Sequence, residues 1–182
     1  MSGGDVQWRT WESPKFADLM SKSGWHYNPW LRCGKLTAMT IISAQSHVSY
    51  GYVGNSAAVF ALRRLGHEVC PVHTALLAHH PGYGSFNGAL TPPETVSAIL
   101  EGLQLIGVYT ECSALLSGYL GSVKTGEAVL GAWRKIQNAA PDAVYCCDPV
   151  IGDVDEGVYV DSALPDFFRE RALPKATAAI VN

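Results

Sequence analysis

From Met39 onwards, short apolar runs alternate with longer segments of helical periodicity, and glycine and proline separate them. The apolar runs predict buried strands at residues 39–45, 67–74, 112–117, 143–147 and 177–181. The segments between them predict helices at residues 55–65, 92–106, 122–139 and 161–172. Strands that alternate with helices pair in parallel through right-handed crossovers. We therefore expect an α/β fold of three layers around a mainly parallel central sheet.

Local signals predict how these elements end and which sides they bury. Asn55 is a candidate N-cap for the first helix, Gly66 a candidate stop, and Ser122 a candidate cap for the third helix. Pro71 inside the second strand predicts an edge position or a bulge. One face of the second helix is predicted to be apolar, formed by Val96, Ile99, Leu100 and Leu103.

Residues 1–38 lack this order. They show neither helical nor alternating periodicity, and they contain four of the five tryptophans, Trp8, Trp11, Trp25 and Trp30. We expect an irregular extension before a domain formed by residues 39–182. Met39 is a possible start, so the extension is interpreted as upstream sequence translated in error; a docking arm that uses its tryptophans is the alternative.

Composition argues against several kinds of partner. Thirteen basic and sixteen acidic residues give a net charge of −3, which favours neither nucleic acid nor an anionic membrane. No apolar run approaches the roughly 18 residues of a membrane span. The five cysteines include no C-x-x-C pair, and four of them lie in apolar runs, as expected for buried thiols in a reducing cytosol.

Two motifs follow the first two predicted strands, where an α/β sheet binds its ligands. Residues 43–55, SAQSHVSYGYVGN, contain Gly51 and Gly54 but match neither G-x-G-x-x-G nor the P-loop. Residues 79–84, HHPGYG, carry two histidines without a carboxylate or cysteine at ligand spacing. We therefore interpret the second motif as a loop that closes over a flat ring rather than as a metal site.

Two further motifs follow the third and fourth predicted strands. Tyr119 could stack on an aromatic ligand, and packing at the rim of the domain is the alternative. Asp148 and Asp153 bracket a Pro/Gly turn at the end of the fourth strand. Carboxylates at that edge can hold Mg²⁺ against nucleotide phosphates, although aspartate and glycine are also common turn residues.

Together, the four motifs resemble those of the pyridoxal kinases in the ribokinase-like superfamily. The matching segments are IISAQSHVSYGYVGN, TALLAHHPGYG, LLSGYLGS and YCCDPVIGD. Among them, QSHV-x-x-GYVGN and CDPV-x-GD are the most specific. The resemblance runs from Met39 to the last residue and implies a ribokinase-like fold that is incomplete at its C-terminus.

The resemblance also implies a reaction, which is ATP-dependent phosphorylation of the 5′-hydroxymethyl group of pyridoxal to pyridoxal 5′-phosphate, with pyridoxine and pyridoxamine as further substrates. Ser46 would hydrogen-bond the pyridine ring, while Val53 and Tyr119 would line its pocket. Asp148 would face ATP, and Asp153 would act near Mg²⁺ and the phosphates. A monovalent cation, a homodimer and a cytoplasmic location are further expectations from the family.

Two departures from the family pattern limit this expectation. Pro81 stands in the substrate loop where many relatives carry threonine, and proline offers neither a hydroxyl nor an N–H, so the vitamer preference stays open. The catalytic base of the family lies in a G-x-G-D motif, which these residues lack. We expect the base beyond Asn182 and this chain alone to be inactive.

Two alternatives remain at this stage. One is a related hydroxymethylpyrimidine or sugar kinase of the same superfamily. The other is a truncated, non-catalytic protein that binds vitamers or pairs with a full-length subunit.

Overall fold

A computed structural model of the chain describes residues 39–85, 87–153, 157–158 and 160–180. The expectation that residues 1–38 form an irregular extension lies outside these residues. The described strands are β1 (Thr40–Tyr50), β2 (Glu68–His79), β3 (Gly88–Leu90), β4 (Cys112–Ser117), β5 (Val144–Cys147), β6 (Gly152–Asp153), β7 (Gly157–Val158) and β8 (Ala178–Ala179). The described helices are α1 (Asn55–Arg64), α2 (Pro93–Leu105), α3 (Val123–Ala139) and α4 (Leu164–Phe167), the last continued by a π turn at Phe168–Ala172.

Six of the strands form one sheet in the order β3-β2-β1-β4-β5-β8. Every neighbouring pair is parallel except β2 and β3, which are antiparallel. The short β6 and β7 form a separate antiparallel ribbon. The predicted α/β fold with a mainly parallel sheet is therefore confirmed.

Successive residues of β1 point to opposite faces of this sheet, and each face meets a different layer. Ile42 and Ala44 belong to a core shared with Val96 of α2 and Val129 of α3. Ser43 points the other way and hydrogen-bonds Asn55 at the start of α1. Helices thus lie on both sides of the sheet. Within the described ranges, none combines the length and apolarity that crossing a membrane requires.

Most predicted ends agree with the structure. The hydroxyl of Ser122 accepts a hydrogen bond from the Thr125 N–H at 3.2 Å and caps α3. Gly66, with a φ of +90°, follows the end of α1 as predicted. Pro71 pairs with Ser43 of β1, while β3 pairs only with the later residues 75–77 of β2. Pro71 therefore lies at a sheet edge formed by the described strands.

Other predicted features were wrong. The N-cap of α1 is Gly54, because the side chain of Asn55 turns into the sheet instead of capping the helix. Ile99 is 40% exposed, so it lies outside the buried face of α2. The last helix begins at Leu164 rather than 161, with Pro165 in its first turn, where proline is favoured. The predicted Pro/Gly turn between Asp148 and Asp153 runs at its end into the strand β6, which contains Gly152 and Asp153.

Strand β1 is longer than the predicted 39–45. Its pairing with β4 ends at Ala44, but its pairing with β2 continues to Tyr50 and His79. The first two strands and β3 therefore project as a ribbon beyond the carboxyl end of β4. From β1, successive strands are added on one side of the sheet as β2 and β3, and then on the other side as β4, β5 and β8. Ligands of α/β sheets bind at such a switch point, which lies here between β1 and β4.

The α1 side of the sheet is unevenly covered. Helix α1 packs there against β1 and β2. Farther along the same face, Leu116 and Cys146 are half-buried, Val144 is 42% exposed and Ala178 is exposed. On the opposite face, Leu115 and Tyr145 are almost fully buried. One face of β4, β5 and β8 is thus an apolar, partly exposed surface.

Candidate functional site

Ser46 lies within β1, at the point where the register with β2 shifts between Gln45 and His47. The expectation that it follows the strand in a turn is wrong, because β1 continues to Tyr50. Ser46 is only 7% exposed. No described residue hydrogen-bonds the Ser46 hydroxyl, which leaves it available to an incoming ring.

Gly54 folds the turn after β1 back onto Ser46. It forms an antiparallel bridge with His47 and has a φ of +54°. A Cβ at Gly54 would lie 2.8 Å from the Ser46 Oγ and closer still to the Ser46 carbonyl oxygen. Only glycine fits this approach. Val53, which precedes Gly54, is 36% exposed beside this turn.

Tyr119 follows β4 next to the switch point and is half-buried, packed against Val48, Ala75 and Leu77. Burial raises the pKa of its phenol above the usual value. The neighbouring Gly118 donates its N–H to the Ala44 carbonyl at 3.0 Å. This bond continues the pairing of β1 and β4 to the end of the strands.

The loop after β2 folds against the end of β1. Pro81 begins a 3₁₀ turn, Pro81–Tyr83, and the Gly82 N–H donates to the His80 Nδ1 at 3.1 Å. The Tyr83 ring meets Tyr50 edge-on, with 5.9 Å between ring centroids. No group of three His, Cys, Asp or Glu side chains in the described part of the chain could hold a metal ion.

Asp148 lies at the end of β5, where its N–H donates to the Ser117 carbonyl at 2.8 Å. Its carboxylate is half-buried and forms no ion pair with a described residue. Burial raises the pKa of this carboxyl above its usual value. The backbone of Asp153 pairs with Gly157 in the β6–β7 ribbon, and its side chain lies outside what the structure describes.

One carboxyl edge of the sheet carries three of the predicted residues, which are Ser46 within β1, Tyr119 after β4 and Asp148 after β5. The bond from Gly118 to Ala44 ties β4 to β1, and that from Asp148 to Ser117 ties β5 to β4. Val53 and Pro81 belong instead to the turns that follow β1 and β2. The structure thus brings Ser46, Tyr119 and Asp148 to one carboxyl edge, whereas the side chain of Asp153 lies outside the described residues.

The chain is similar in sequence to pyridoxal kinases over most of its length. It is 47% identical to pyridoxal kinase PdxY of Rubrobacter xylanophilus over 144 residues, which are 79% of this chain and 50% of that protein. It is 46% identical to PdxY of Deinococcus radiodurans over 142 residues, covering 78% and 48%. The chain is a pyridoxal kinase homologue. It corresponds to an N-terminal portion and spans about half the length of these curated relatives.

The fold agrees with this relationship. A structure of pyridoxal kinase from Leishmania donovani, in complex with ADP and ginkgotoxin, matches at a TM-score of 0.74 and 33% identity. The match covers 79% of this chain and 50% of that enzyme. No protein-family profile matches the chain. The resemblance to the pyridoxal kinases is therefore confirmed for the half of the fold that is present.

The site of this pyridoxal kinase homologue also contains polar residues that the sequence analysis missed. Ser43, Gln45, Asn55 and His73 form a connected cluster beneath the Gly54 turn. The available signal was the alternation of Ser43 and Gln45 in an apolar strand, which places two polar side chains on one face. Buried polar groups of this kind require partners, and these come from α1 and β2.

Proposed function

We propose that the chain is the vitamer-binding half of a pyridoxal kinase, acting in the cytoplasm on pyridoxal, pyridoxine or pyridoxamine. The observation that carries this proposal is Ser46, a buried residue with an available hydroxyl at the switch point of the sheet. Two close relatives in sequence are pyridoxal kinases, and the Leishmania donovani enzyme has been crystallised with ADP and pyridoxine. These findings favour a vitamin B6 kinase over a hydroxymethylpyrimidine or sugar kinase.

Each site residue then has a role. The Ser46 hydroxyl bonds the pyridine ring, and Val53 and Tyr119 supply apolar walls. Pro81 closes the turn after β2 over the ring, without the hydrogen bond that a threonine would add. A flat aromatic ligand suits a site with a half-buried tyrosine on one side and a single polar group for orientation.

Asp148 and Asp153 are proposed to serve the nucleotide. When bound, ATP with Mg²⁺ supplies the phosphoryl group and neutralises its charge. Asp148, which is half-buried and forms no ion pair with a described residue, fits this role, because Mg²⁺ is usually held by one or two carboxylates together with phosphate oxygens. Asp153 is proposed as the carboxylate near the metal. The chain contains no G-x-G-D segment, so the base must come from another segment.

The apolar face of β4, β5 and β8 supports a partner for this half. Parallel sheets are normally covered on both faces, yet Val144 is 42% exposed and Ala178 is exposed here. We propose that a polypeptide equivalent to the unmatched half of the relatives packs on this face and provides the base and most of the ATP pocket. We also propose that the complex of the two halves forms homodimers. Vitamer binding without catalysis is the second candidate function, and it applies to the isolated chain.

Binding of pyridoxal to the purified chain tests the first part. Losing one neutral hydrogen bond costs about 0.5–1.5 kcal/mol, so Ser46→Ala should raise the Kd roughly two- to tenfold. Ser49→Ala is the matched control, since Ser49 is an exposed serine three positions further along β1. No pyridoxal binding by the wild-type chain, or equal Kd values for all three proteins, would contradict the proposal.

Complementation tests the second part. The chain alone should not phosphorylate pyridoxal, and co-expression with the second half of the Rubrobacter xylanophilus enzyme should give a co-purifying, active complex. Val144→Glu places a charge on the apolar face and should weaken this complex. Leu105→Glu, at an 87% exposed position at the end of α2, is the control and should leave it intact. Turnover by the chain alone would show that the missing half is not needed.

A further inference from the structure

Asn55 is almost completely buried, at 2% exposure, although it is the first residue of α1. Its Oδ1 accepts a hydrogen bond from the Ser43 hydroxyl at 2.7 Å. Its Nδ2 lies 3.2 Å from the carbonyl oxygens of Ser43 and Gln45 and 3.3 Å from that of Val72. Because Nδ2 faces acceptors from two strands, the orientation of this amide is fixed.

The same Nδ2 atom lies 3.2 Å from the Nδ1 of His73 on β2. An amide nitrogen can only donate, so this contact is favourable only when Nδ1 accepts and carries no proton. The arrangement therefore favours a neutral His73 with its proton on Nε2. Burial lowers the pKa of His73, and the neighbouring His47, with 4.8 Å between ring centroids, acts in the same direction.

This cluster holds the segment that carries Ser46. Asn55 binds the carbonyls of Ser43 and Gln45, immediately before the register shift of β1. It also follows Gly54, which packs directly on Ser46. The two contacts fix the strand and the turn on either side of the Ser46 hydroxyl.

We propose that Asn55 is the positioning residue for Ser46 and that it acts only while His73 is neutral, so that acid weakens vitamer binding. The proposal rests on the proposed function, because Ser46 is taken as a vitamer ligand. A proton on the His73 Nδ1 would set N–H against N–H, and either the ring or the Asn55 amide would have to turn away.

Among the described residues, no carboxylate lies against His73 to stabilise its charged form. On β1 the titratable groups are His47 and Tyr50. The start of α1 presents only the uncharged Asn55 and Ser56, because its arginines, Arg63 and Arg64, lie in its last turn. Strand β3 has no charged residue. Two further described elements carry titratable groups. Those on β2 itself are Glu68, Cys70 and His79, and those on α2 on the other side of the sheet are Glu94 and Glu101.

The direction of the pH effect follows from the lowered pKa. The unfolded chain begins to bind a proton at His73 near the ordinary value of 6.5, whereas the folded cluster resists it. The stability contributed by the neutral cluster is complete above that pH and is lost as the pH falls below it. Vitamer binding should weaken at lower pH still, as His73 of the folded chain takes up a proton at its lowered pKa.

Pyridoxal binding between about pH 5 and about pH 8 tests this inference. Binding by the wild-type chain should weaken roughly two- to tenfold towards the acid end, as expected for one lost hydrogen bond. His73→Asn removes the titrating group and should give a flatter profile. His67→Asn, outside the cluster, should follow the wild type. Because pyridoxal itself titrates, the wild type and the variants are compared with one another at each pH. Identical pH profiles for the wild type and His73→Asn would overturn the inference.

A second measurement needs no ligand and so separates this inference from the proposed function. Nitrogen NMR of the histidine rings should show that His73 is protonated on Nε2 and unprotonated on Nδ1 at neutral pH. Asn55→Asp puts a carboxylate against Nδ1, so the pKa of His73 should rise instead of falling, whereas Ser49→Ala should leave it unchanged. A proton on Nδ1 in the wild type, or an unaltered His73 titration in Asn55→Asp, would refute the positioning role. Failure of the wild type to bind pyridoxal would refute only the proposed function.

Discussion

The hydroxyl of Thr74 in β2 donates a hydrogen bond to the backbone carbonyl of Tyr119, which lies 45 residues later in the chain. Thr74 is fully buried, and this bond crosses over β1 to reach the segment that follows β4. Tyr119 also packs against Ala75 and Leu77, which follow Thr74 in β2. The position of Tyr119 therefore depends on β2 as well as on its own strand.

Replacing Thr74 by valine tests this dependence with almost no change in volume. The substitution leaves the Tyr119 carbonyl without its partner, and an unsatisfied buried acceptor costs about 1–3 kcal/mol. We expect a loss of that size in urea unfolding, together with weaker pyridoxal binding. Thr110→Val is the control, because its hydroxyl donates to the Gly107 carbonyl at an exposed turn and should cost less. Equal losses in the two variants would argue against a special role for the Thr74 bond.

Gly118 provides a second test at the switch point. A Cβ there would lie 2.6 Å from the Oε1 of Gln45, a buried side chain that bonds the Ser43 hydroxyl. Gly118→Ala should therefore displace Gln45 and destabilise the fold by about 1–3 kcal/mol. Gly131→Ala in α3 meets no atom within 4 Å and should instead stabilise the chain by roughly 0.5–1 kcal/mol. In thermal unfolding, Gly118→Ala should lower the Tm and Gly131→Ala should raise it.

The sequence was sufficient to predict the order of the main strands and helices. Cys112–Ser117 is a strand with the predicted bounds, because its short length and the glycine that follows it favour a strand over a buried helix. Ser122 was also predictable as a cap, since its effect is local. Features decided by neighbouring residues in the chain are thus accessible without a structure.

Features decided by distant residues were not. Strand β1 continues through the polar residues Ser46 to Tyr50 because β2 remains beside it, and no local signal reports that pairing. Asn55 has the residue type of an N-cap, yet acceptors on β1 and β2 draw its side chain into the sheet. The tertiary environment overrides local preference in both cases, and both lie at the candidate site.

Removal of residues 1–38 should leave the domain intact. The described core is formed by residues from Ile41 to Ala172, and the first described strand begins at Thr40. A variant that begins at Met39 should keep the Tm of the full chain. A loss of about 1 kcal/mol would lower the Tm by roughly 2–8 °C for a domain in this size range. A drop of that size in a thermal scan would show that the removed segment packs on the domain.

Asp148 gives the final prediction, which separates stability from ligand binding. Burial raises the pKa of its carboxyl, so the charged form is less favourable in the folded chain than in the unfolded one. This destabilisation is absent below the unfolded pKa of about 3.8 and grows as the pH rises through the folded value. Asp148→Asn removes the charge and should raise the Tm at neutral pH, with a difference that shrinks as the pH approaches 4.

The same substitution should weaken the response to nucleotide. In the complemented enzyme, the neutral amide of the Asp148→Asn variant cannot help to balance the charge of Mg²⁺, so more ATP should be required for half-maximal phosphorylation of pyridoxal. Asp161→Asn is the matched control, since Asp161 is an exposed aspartate whose Oδ1 accepts the Ala163 N–H at 3.0 Å. It should not raise the Tm at neutral pH or alter the ATP requirement. A gain in stability without a change in ATP requirement would mean that the half-buried Asp148 carboxylate serves neither the metal nor the nucleotide.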